Sequence, residues 1–542
     1  MDVEIPVLVM PLVDVDALVE EDKRLDMENI QRPFRFGYAI DVDIDIKKEG
    51  VKKELPDGGT LWLLKIHCSD AYTINLIYNR FWLAKGSKFF VYNEDKSMVL
   101  GAFTPENSNN SYNEYATDLV LGDTVILEYY EPELSDDGVI NISKVIHGYI
   151  NTLKSNGLGT SGGCNVDVMC PLGNNWILER RAVTMLLVDN NTAFCFGCLV
   201  NNTAQDSRPY ILTANHCYYN ASGNQISTPA TNIYRFLYWR PYCGSGTPSN
   251  WQSITGATMR AHFAGSDFAL LELNTRPSAS LNLHYAGWDR RNVTPFSTIG
   301  IHHPRGDAMK ISSDFDPPVQ INYNAGNGAA DCWRVVWNMG TTEQGSSGSP
   351  LFNEYSHHVV GQLYGGIASC QNTTGHDNYG RFDISWDRAG SSSANRLRDW
   401  LDPLGVAPNT LNGIGGATIY GPDVIGASCS ATYTIGLPSS GVTGQTWQVI
   451  GGGVTPTSGT GPSFTVSRTA NLNDPINTTI QCTFIYNGLA YTTTKPIVAR
   501  IEPVYGWMSP APGPQYSYYL IANIPLDQRL LVLDYEWEVT PN

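Results

Sequence analysis

Apolar and polar residues alternate along much of this chain. That period of two narrows its folds more than any other feature, because successive side chains of a strand point to opposite faces of a sheet. The alternation runs through 38–46 (YAIDVDIDI), 61–66 (LWLLKI), 88–92 (KFFVY) and 124–130 (TVILEYY). Gly, Asn and Asp stand between these runs, so the spacing predicts an antiparallel β domain from about Phe36 to Ile150. From 164 to about 400, short strands alternate with long polar loops. From 418 to 500, Ser/Thr/Val/Ile runs alternate with Gly-rich turns. Helical patterning is confined to an acidic amphipathic segment within 11–30 and to 393–401 (SANRLRDWL), stopped by Asp402-Pro403. The fold class is mainly β.

A length of 542 residues corresponds to roughly three to four domains. Two Gly/Ser/Asn-rich breaks divide it: 151–163 (NTLKSNGLGTSGG) and 404–417 (LGVAPNTLNGIGGA). The expected order is an N-terminal domain at 1–157, a middle block at 158–405, a linker at 406–417 and a β-sandwich at 418–500. A tail or partial β module follows at 501–542, with a last apolar strand at 529–535. Residues 1–157 hold 27 acidic against 15 basic residues, which marks them as a separate acidic unit. A net charge of −17 without a basic cluster argues against general nucleic-acid binding. No apolar run reaches about 18 residues, so no membrane-spanning helix is expected.

Eight of the eleven cysteines fall between 164 and 370. Cys195 and Cys198 have C-x-x-C spacing, but no second pair follows at zinc spacing. Disulfides in an oxidising compartment are the better reading, with the odd count leaving a free thiol or an intermolecular partner. The first residues have acidic flanks, and Asp14 and Asp16 interrupt their apolar run, unlike a secretion signal. A secreted protein whose signal has been removed, with Met1 as an expression start, is therefore expected. Cys429 and Cys482, near the two ends of 418–500, resemble the inter-sheet bridge of an immunoglobulin-like module.

Three segments of the middle block carry chemistry: 212–217 (LTANHC), 266–273 (SDFALLEL) and 345–351 (GSSGSPL). A serine hydroxyl is a weak nucleophile and needs a base, which a neutral imidazole supplies near pH 7. That imidazole needs a buried carboxylate to fix its tautomer. A glycine two residues before the serine lets backbone amides face a developing oxyanion. The candidates are His216, Asp267 and Ser347, with Gly345 and Ser347 supplying the amides. A bridge from Cys195 to Cys217 would clamp the loop that presents the histidine. Each segment alone is commonplace: a Gly/Ser turn, a histidine beside a cysteine, an aspartate opening a strand. Their joint occurrence in this order points to catalysis.

These motifs resemble the trypsin-like (chymotrypsin-fold) serine endopeptidases. More narrowly, 164–403 resembles the bacterial lysyl endopeptidase family, through SGGCNVDVMCP (162–171), AGWDRR (286–291), GIHHP (300–304), TEQGSSGSPLF (342–352), GQLYGG (361–366), DNYGRFDISW (377–386) and RLRDWLDP (396–403). Residues 32–157 resemble, more weakly, the propeptides attached to such enzymes. The resemblance implies two six-stranded antiparallel barrels with the site between them. It implies the bridges Cys164–Cys370, Cys170–Cys243 and Cys195–Cys217. Cys429–Cys482 would be a fourth, outside the family match. No cofactor or metal is implied.

Trypsin's own pocket aspartate would stand at 341, which is Thr341 here. The resemblance assigns the pocket for basic side chains to Asp377 instead, where a desolvated carboxylate would pair with Lys or Arg. Glu343 could add a second negative charge or be a loop carboxylate. Tyr364, Gly365 and Gly366 should pair with extended substrate backbone as an added strand. Members with strict Lys preference can carry His where Tyr364 stands, which leaves Lys-over-Arg selectivity open. Ser346 occupies the position of the aspartate that a new N-terminus engages in trypsin-type zymogens, so activation is expected to be removal of a blocking propeptide. Lys154 is the natural self-cleavage site. Arg305-Gly-Asp307 spells an adhesion tripeptide but is read as part of the family's loop; the adjacent His302 and His303 could hint at a metal, but neighbours on one strand point opposite ways.

The expected partners are protein or peptide substrates, the propeptide as intramolecular inhibitor, and cell-surface or polysaccharide contact through the C-terminal modules. The alternatives are a non-catalytic binding or adhesion protein on a protease fold, and a serine protease of other specificity.

Overall fold

The computed structural model describes residues 4–27, 32–108, 114–133, 137–153, 161–425, 430–437, 442–469, 476–486, 488–499, 505–507 and 519–521. Lys154, Cys429 and the expected strand at 529–535 lie outside them. The chain forms two compact units, Met1–Gly413 and Ile414–Asn542.

The first unit opens on a short strand, Val7–Val9, and the expected helix, Val15–Met27. Two sheets follow. One orders Val7–Val9, Thr60–His67, Thr124–Glu131, Lys88–Asn93 and Val99–Phe103; the other orders Val120–Leu121, Thr73–Trp82, Val139–Gly148 and Gly37–Asp45. The alternating apolar residues meet in one core that includes Leu64, Ile66, Leu76, Tyr78, Phe89, Leu127 and Ile140. Burying a side chain of this size contributes about 1.5–3 kcal/mol.

Beyond residue 161 the alternation fades because the strands are covered on both sides. All eight residues of Ala193–Val200 and all six of Val183–Val188 are buried. A first sheet runs Gln252–Thr255, Ile233–Phe236, Val183–Val188, Ala193–Val200, Tyr210–Ala214, Phe268–Leu273 and Ala257–Phe263. Its two ends are one continuous chain bent at Gly256, whose φ of +87° closes the ring. A second sheet runs Lys310–Asp314, Thr298–His302, Pro350–Asn353, Val359–Gly366, Asp377–Arg381 and Ala329–Val335. It closes through the Ser313–Met339 bridge. These are the two barrels implied by the resemblance.

The bridges Cys164–Cys370, Cys170–Cys243 and Cys195–Cys217 are present. Cys68, Cys198, Cys332 and Cys482 are buried free thiols. Of the fourth expected bridge, Cys429–Cys482, only Cys482 is described: its Sγ is free and lies 3.8 Å from the Thr483 carbonyl oxygen, while Cys429 lies outside the described residues. The helix expected over 393–401 is also broken. A 3₁₀ turn, Ser393–Asn395, and a short helix, Arg398–Leu401, flank Arg396, which is extended at φ −146°. The extension lets Leu397 donate to the Ser385 carbonyl at 3.0 Å and bury its side chain.

The N-terminal β domain packs on the first barrel. Phe34–Arg35 pairs antiparallel with Ala193–Phe194, and Phe36 stacks on Phe194 at 4.3 Å. Phe34, Phe36, Leu119 and Ile146 share one core with Met185, Phe194, Phe196 and Tyr238. Arg235, fully buried in the barrel, forms a two-pronged ion pair with Asp118 at 2.5 and 3.1 Å.

The second unit packs two sheets around Trp447, Phe464, Tyr433 and Ile480. Trp447 and Phe464 stack at 5.8 Å, and the Trp447 indole N–H donates to the Gly461 carbonyl at 2.8 Å.

Candidate active site

Asp267 ends the 3₁₀ turn Ala264–Ser266 in the left-handed region, at φ 50°. A non-glycine residue there costs about 1–3 kcal/mol. The cost is offset by what the turn positions. The Asp267 carbonyl accepts from the Asn215 amide at 2.8 Å, and Oδ1 accepts from the His216 amide at 3.0 Å. Oδ2 lies 2.8 Å from His216 Nδ1. A carboxylate only accepts, so Nδ1 carries the proton and Nε2 is left with a lone pair. Burial pushes the Asp267 carboxyl above its usual range, and His216 pulls it back.

His216 follows the strand Tyr210–Ala214 in a turn whose last residue, Cys217, is bridged to Cys195. Its Nε2 is buried and has no hydrogen-bond partner among the described residues.

Ser347 sits on a turn with Gly345 at φ +86° and Gly348 at φ +83°. The Ser347 carbonyl accepts from the Phe196 amide at 2.7 Å, and the Gly348 amide donates to the Leu363 carbonyl at 2.8 Å. A Cβ on Gly348 would lie 2.2 Å from the Phe196 oxygen and 2.9 Å from the Ala214 nitrogen. Only glycine lets the turn press this close to the chain leading into His216. The His216 ring is 5.7 Å from that of Tyr364, the neighbour of Leu363. The turn that bears Ser347 thus packs against the segment leading into His216, and His216, Asp267 and Ser347 are all buried.

Asp377 opens the strand Asp377–Arg381 and is 2% exposed. Its Oδ2 accepts from the Thr342 hydroxyl at 2.6 Å and the Trp337 indole N–H at 2.7 Å. Burial raises its pKa, and these two donors oppose the rise. Sequence reasoning missed both donors; the one available signal was the adjacency of Thr342 to the trypsin pocket position. Glu343 has other partners. Its Oε2 accepts from the Gly162 amide at 2.8 Å and Asn165 Nδ2 at 2.9 Å, tying the turn to the segment bridged by Cys164–Cys370. None of these belongs to the Asp377 network.

Tyr364 donates its hydroxyl to the Gly328 carbonyl at 2.7 Å and meets Tyr323 edge-on at 6.1 Å. The strand slips register between Leu363 and Gly365, where Gly365 has φ +153°. The Gly365 carbonyl accepts from Asn378 Nδ2 at 3.0 Å, and Gly366 pairs with Asp377. The tripeptide 305–307 is internal: Asp307 is buried, and the Arg305 guanidinium lies 5.0 Å from the Phe34 ring.

The N-terminal domain reaches this region. A Cβ on Gly345 would lie 2.7 Å from the Phe34 Cβ, and Gln344 Nε2 donates to Asp26 at 2.8 Å.

Residues 158–380 match the family described as lysyl endopeptidase, C-terminal domain. Lysyl endopeptidase of Pseudomonas aeruginosa is 30% identical over 279 residues, which cover 47% of this chain and 58% of the relative. Among solved structures, the Vibrio cholerae VesB protease aligns with 15% identity and a TM-score of 0.26, covering 60% of this chain and 97% of that one. Deg5 aligns with 13% identity and a TM-score of 0.26, covering 35% and 83%.

Proposed function

Taking the match over 158–380 as premise, we propose that the chain is a secreted serine endopeptidase zymogen that cleaves peptide bonds after basic residues, Lys preferred. The observation that carries this reading is the His216–Asp267 pair, which leaves Nε2 basic beside the turn that bears Ser347. Ser347 Oγ attacks the scissile carbonyl while His216 Nε2 takes its proton. The Gly345 and Ser347 amides hold the tetrahedral oxyanion. His216 then protonates the leaving amine, and water repeats the sequence to release the acyl group. Asp267 stays ionised and stabilises the imidazolium.

Asp377 supplies the negative charge for a lysyl ammonium or an arginine, held ready by Trp337 and Thr342. The domain at 1–157 serves as propeptide and inhibitor, with Phe34 lying against Gly345. The module at 418–500 serves contacts with a cell surface or polysaccharide.

Cleavage-site mapping on a denatured protein tests the specificity. Wild type should cut after Lys, less often after Arg. Asp377→Asn should lose that preference, with kcat/KM on Lys substrates down about 100-fold or more, as expected when a buried charge loses its partner. Cleavage with no basic-residue preference would overturn the assignment.

A further inference from the structure

Behind the nucleophile turn lies a second buried histidine, His302, which the mechanism above does not use. Its Nδ1 is 3.0 Å from Ser346 Oγ and its Nε2 is 3.1 Å from Ser312 Oγ. Ser312 Oγ in turn donates to the Thr341 carbonyl at 2.9 Å. All four residues are buried.

The protons in this chain of bonds can be placed. A carbonyl only accepts, so the single Ser312 hydroxyl proton goes to Thr341. Ser312 Oγ must then accept from His302 Nε2–H. A neutral imidazole with a protonated Nε2 has an accepting Nδ1, which takes the Ser346 hydroxyl proton. Burial keeps the ring neutral, pushing its pKa down to about 3, with His303 and Lys310 adding to the shift. The bonds run one way, from Ser346 through His302 and Ser312 to Thr341, and every donor and acceptor along that line is satisfied.

The placement of the two ends gives the network its consequence. His302 and Ser312 lie on the adjacent barrel strands Thr298–His302 and Lys310–Asp314. Ser346 and Thr341 bracket the turn that holds Thr342, Glu343 and Gly345. Ser346 adjoins Ser347, and Thr341 adjoins the Asp377 partner Thr342. One imidazole therefore ties both ends of the turn to the barrel wall.

We propose that His302 is a positioning residue that fixes the 341–346 turn, so that the Gly345 and Ser347 amides are aimed at the oxyanion without an ion pair from a new N-terminus. The inference rests on the serine-peptidase reading. It also means that the turn is already set in the uncleaved chain, so blocking comes from Phe34 and its neighbours lying over the site.

The test uses the full chain, activated by the same added protease, as wild type, Ser346→Ala, Ser312→Ala, His302→Leu and His302→Asn. Three quantities are read: kcat and KM on a lysyl peptide amide, affinity for a peptidyl lysine aldehyde, and affinity for a simple alkylamine. The aldehyde forms an oxyanion in the site; the amine fills only the basic pocket. His302→Leu should lower kcat at least ten-fold with KM within about two-fold, the direction expected for misaimed oxyanion donors. Aldehyde affinity should fall in parallel and amine affinity should hold. His302→Asn, whose Oδ1 can still accept from Ser346, should recover part of the loss. His302→Leu combined with Ser346→Ala should be no worse than His302→Leu alone. If His302→Leu does not fold, the two serine variants carry the same comparison. Wild-type kcat in folded variants, or equal losses for aldehyde and amine, would overturn the positioning role alone. A wild type that neither cleaves nor takes a fluorophosphonate label would overturn the peptidase reading and this role together.

Discussion

At the residue scale, the site depends on carboxylates held where water is scarce. Asp267 accepts from both the backbone and the ring of His216. Asp267→Asn would present an amide N–H or a weaker acceptor to Nδ1 and favour the wrong tautomer. The expected outcome is a loss of about 10⁴ in kcat with the fold retained, read by steady-state kinetics. Asp377 carries a stability consequence. Burial raises its pKa in the folded chain above the unfolded value, so the folded state binds the proton more tightly. Stability then falls as pH rises through that window and stays reduced above it. Asp377→Asn removes the cost while its Oδ1 keeps accepting from Trp337 and Thr342. Melting curves in a Ser347→Ala background should show a higher Tm for the Asn variant at pH 7. The difference should shrink as pH is lowered through the carboxylate range.

At the element scale, the first barrel and the N-terminal domain share the strand pair Phe34–Arg35 with Ala193–Phe194 and the Asp118–Arg235 ion pair. Ser253 also donates to Asp118, and the Arg235 guanidinium lies 4.7 Å from the Trp251 ring. Asp118→Ala would strand a fully buried guanidinium. The full chain should lose about 3–5 kcal/mol, seen as a lower urea midpoint, and Asp118→Asn should lose less. Legibility in the sequence follows burial at this scale. The strands at 37–45 and 60–67 keep partly solvated faces, and their alternation is plain. Ala193–Val200 is buried throughout, so its period is lost and only motifs mark it. The segments bearing His216, Asp267 and Ser347 were readable because local turn chemistry accompanies each residue. Trp337, Thr342 and His302 were not, because their roles arise from contacts across strands that no local pattern encodes. Glu343 was readable as a carboxylate near the serine, but its partners Gly162 and Asn165 lie about 180 positions away.

At the scale of the whole molecule, the acidic N-terminal domain and both barrels lie in one compact unit, and the last 129 residues form another. The site is built within Met1–Gly413. Under the zymogen reading, wild type should shed its N-terminal domain on incubation. Ser347→Ala, purified without other proteases, should remain one chain on a gel. The central claim is that Ser347 is a nucleophile activated by His216, and active-site labelling tests it most directly. After activation, a fluorophosphonate should modify one residue, identified as Ser347 by peptide mass mapping, and the label should vanish in His216→Ala. A folded, processed protein that takes no label, or takes it on another residue, would contradict the account.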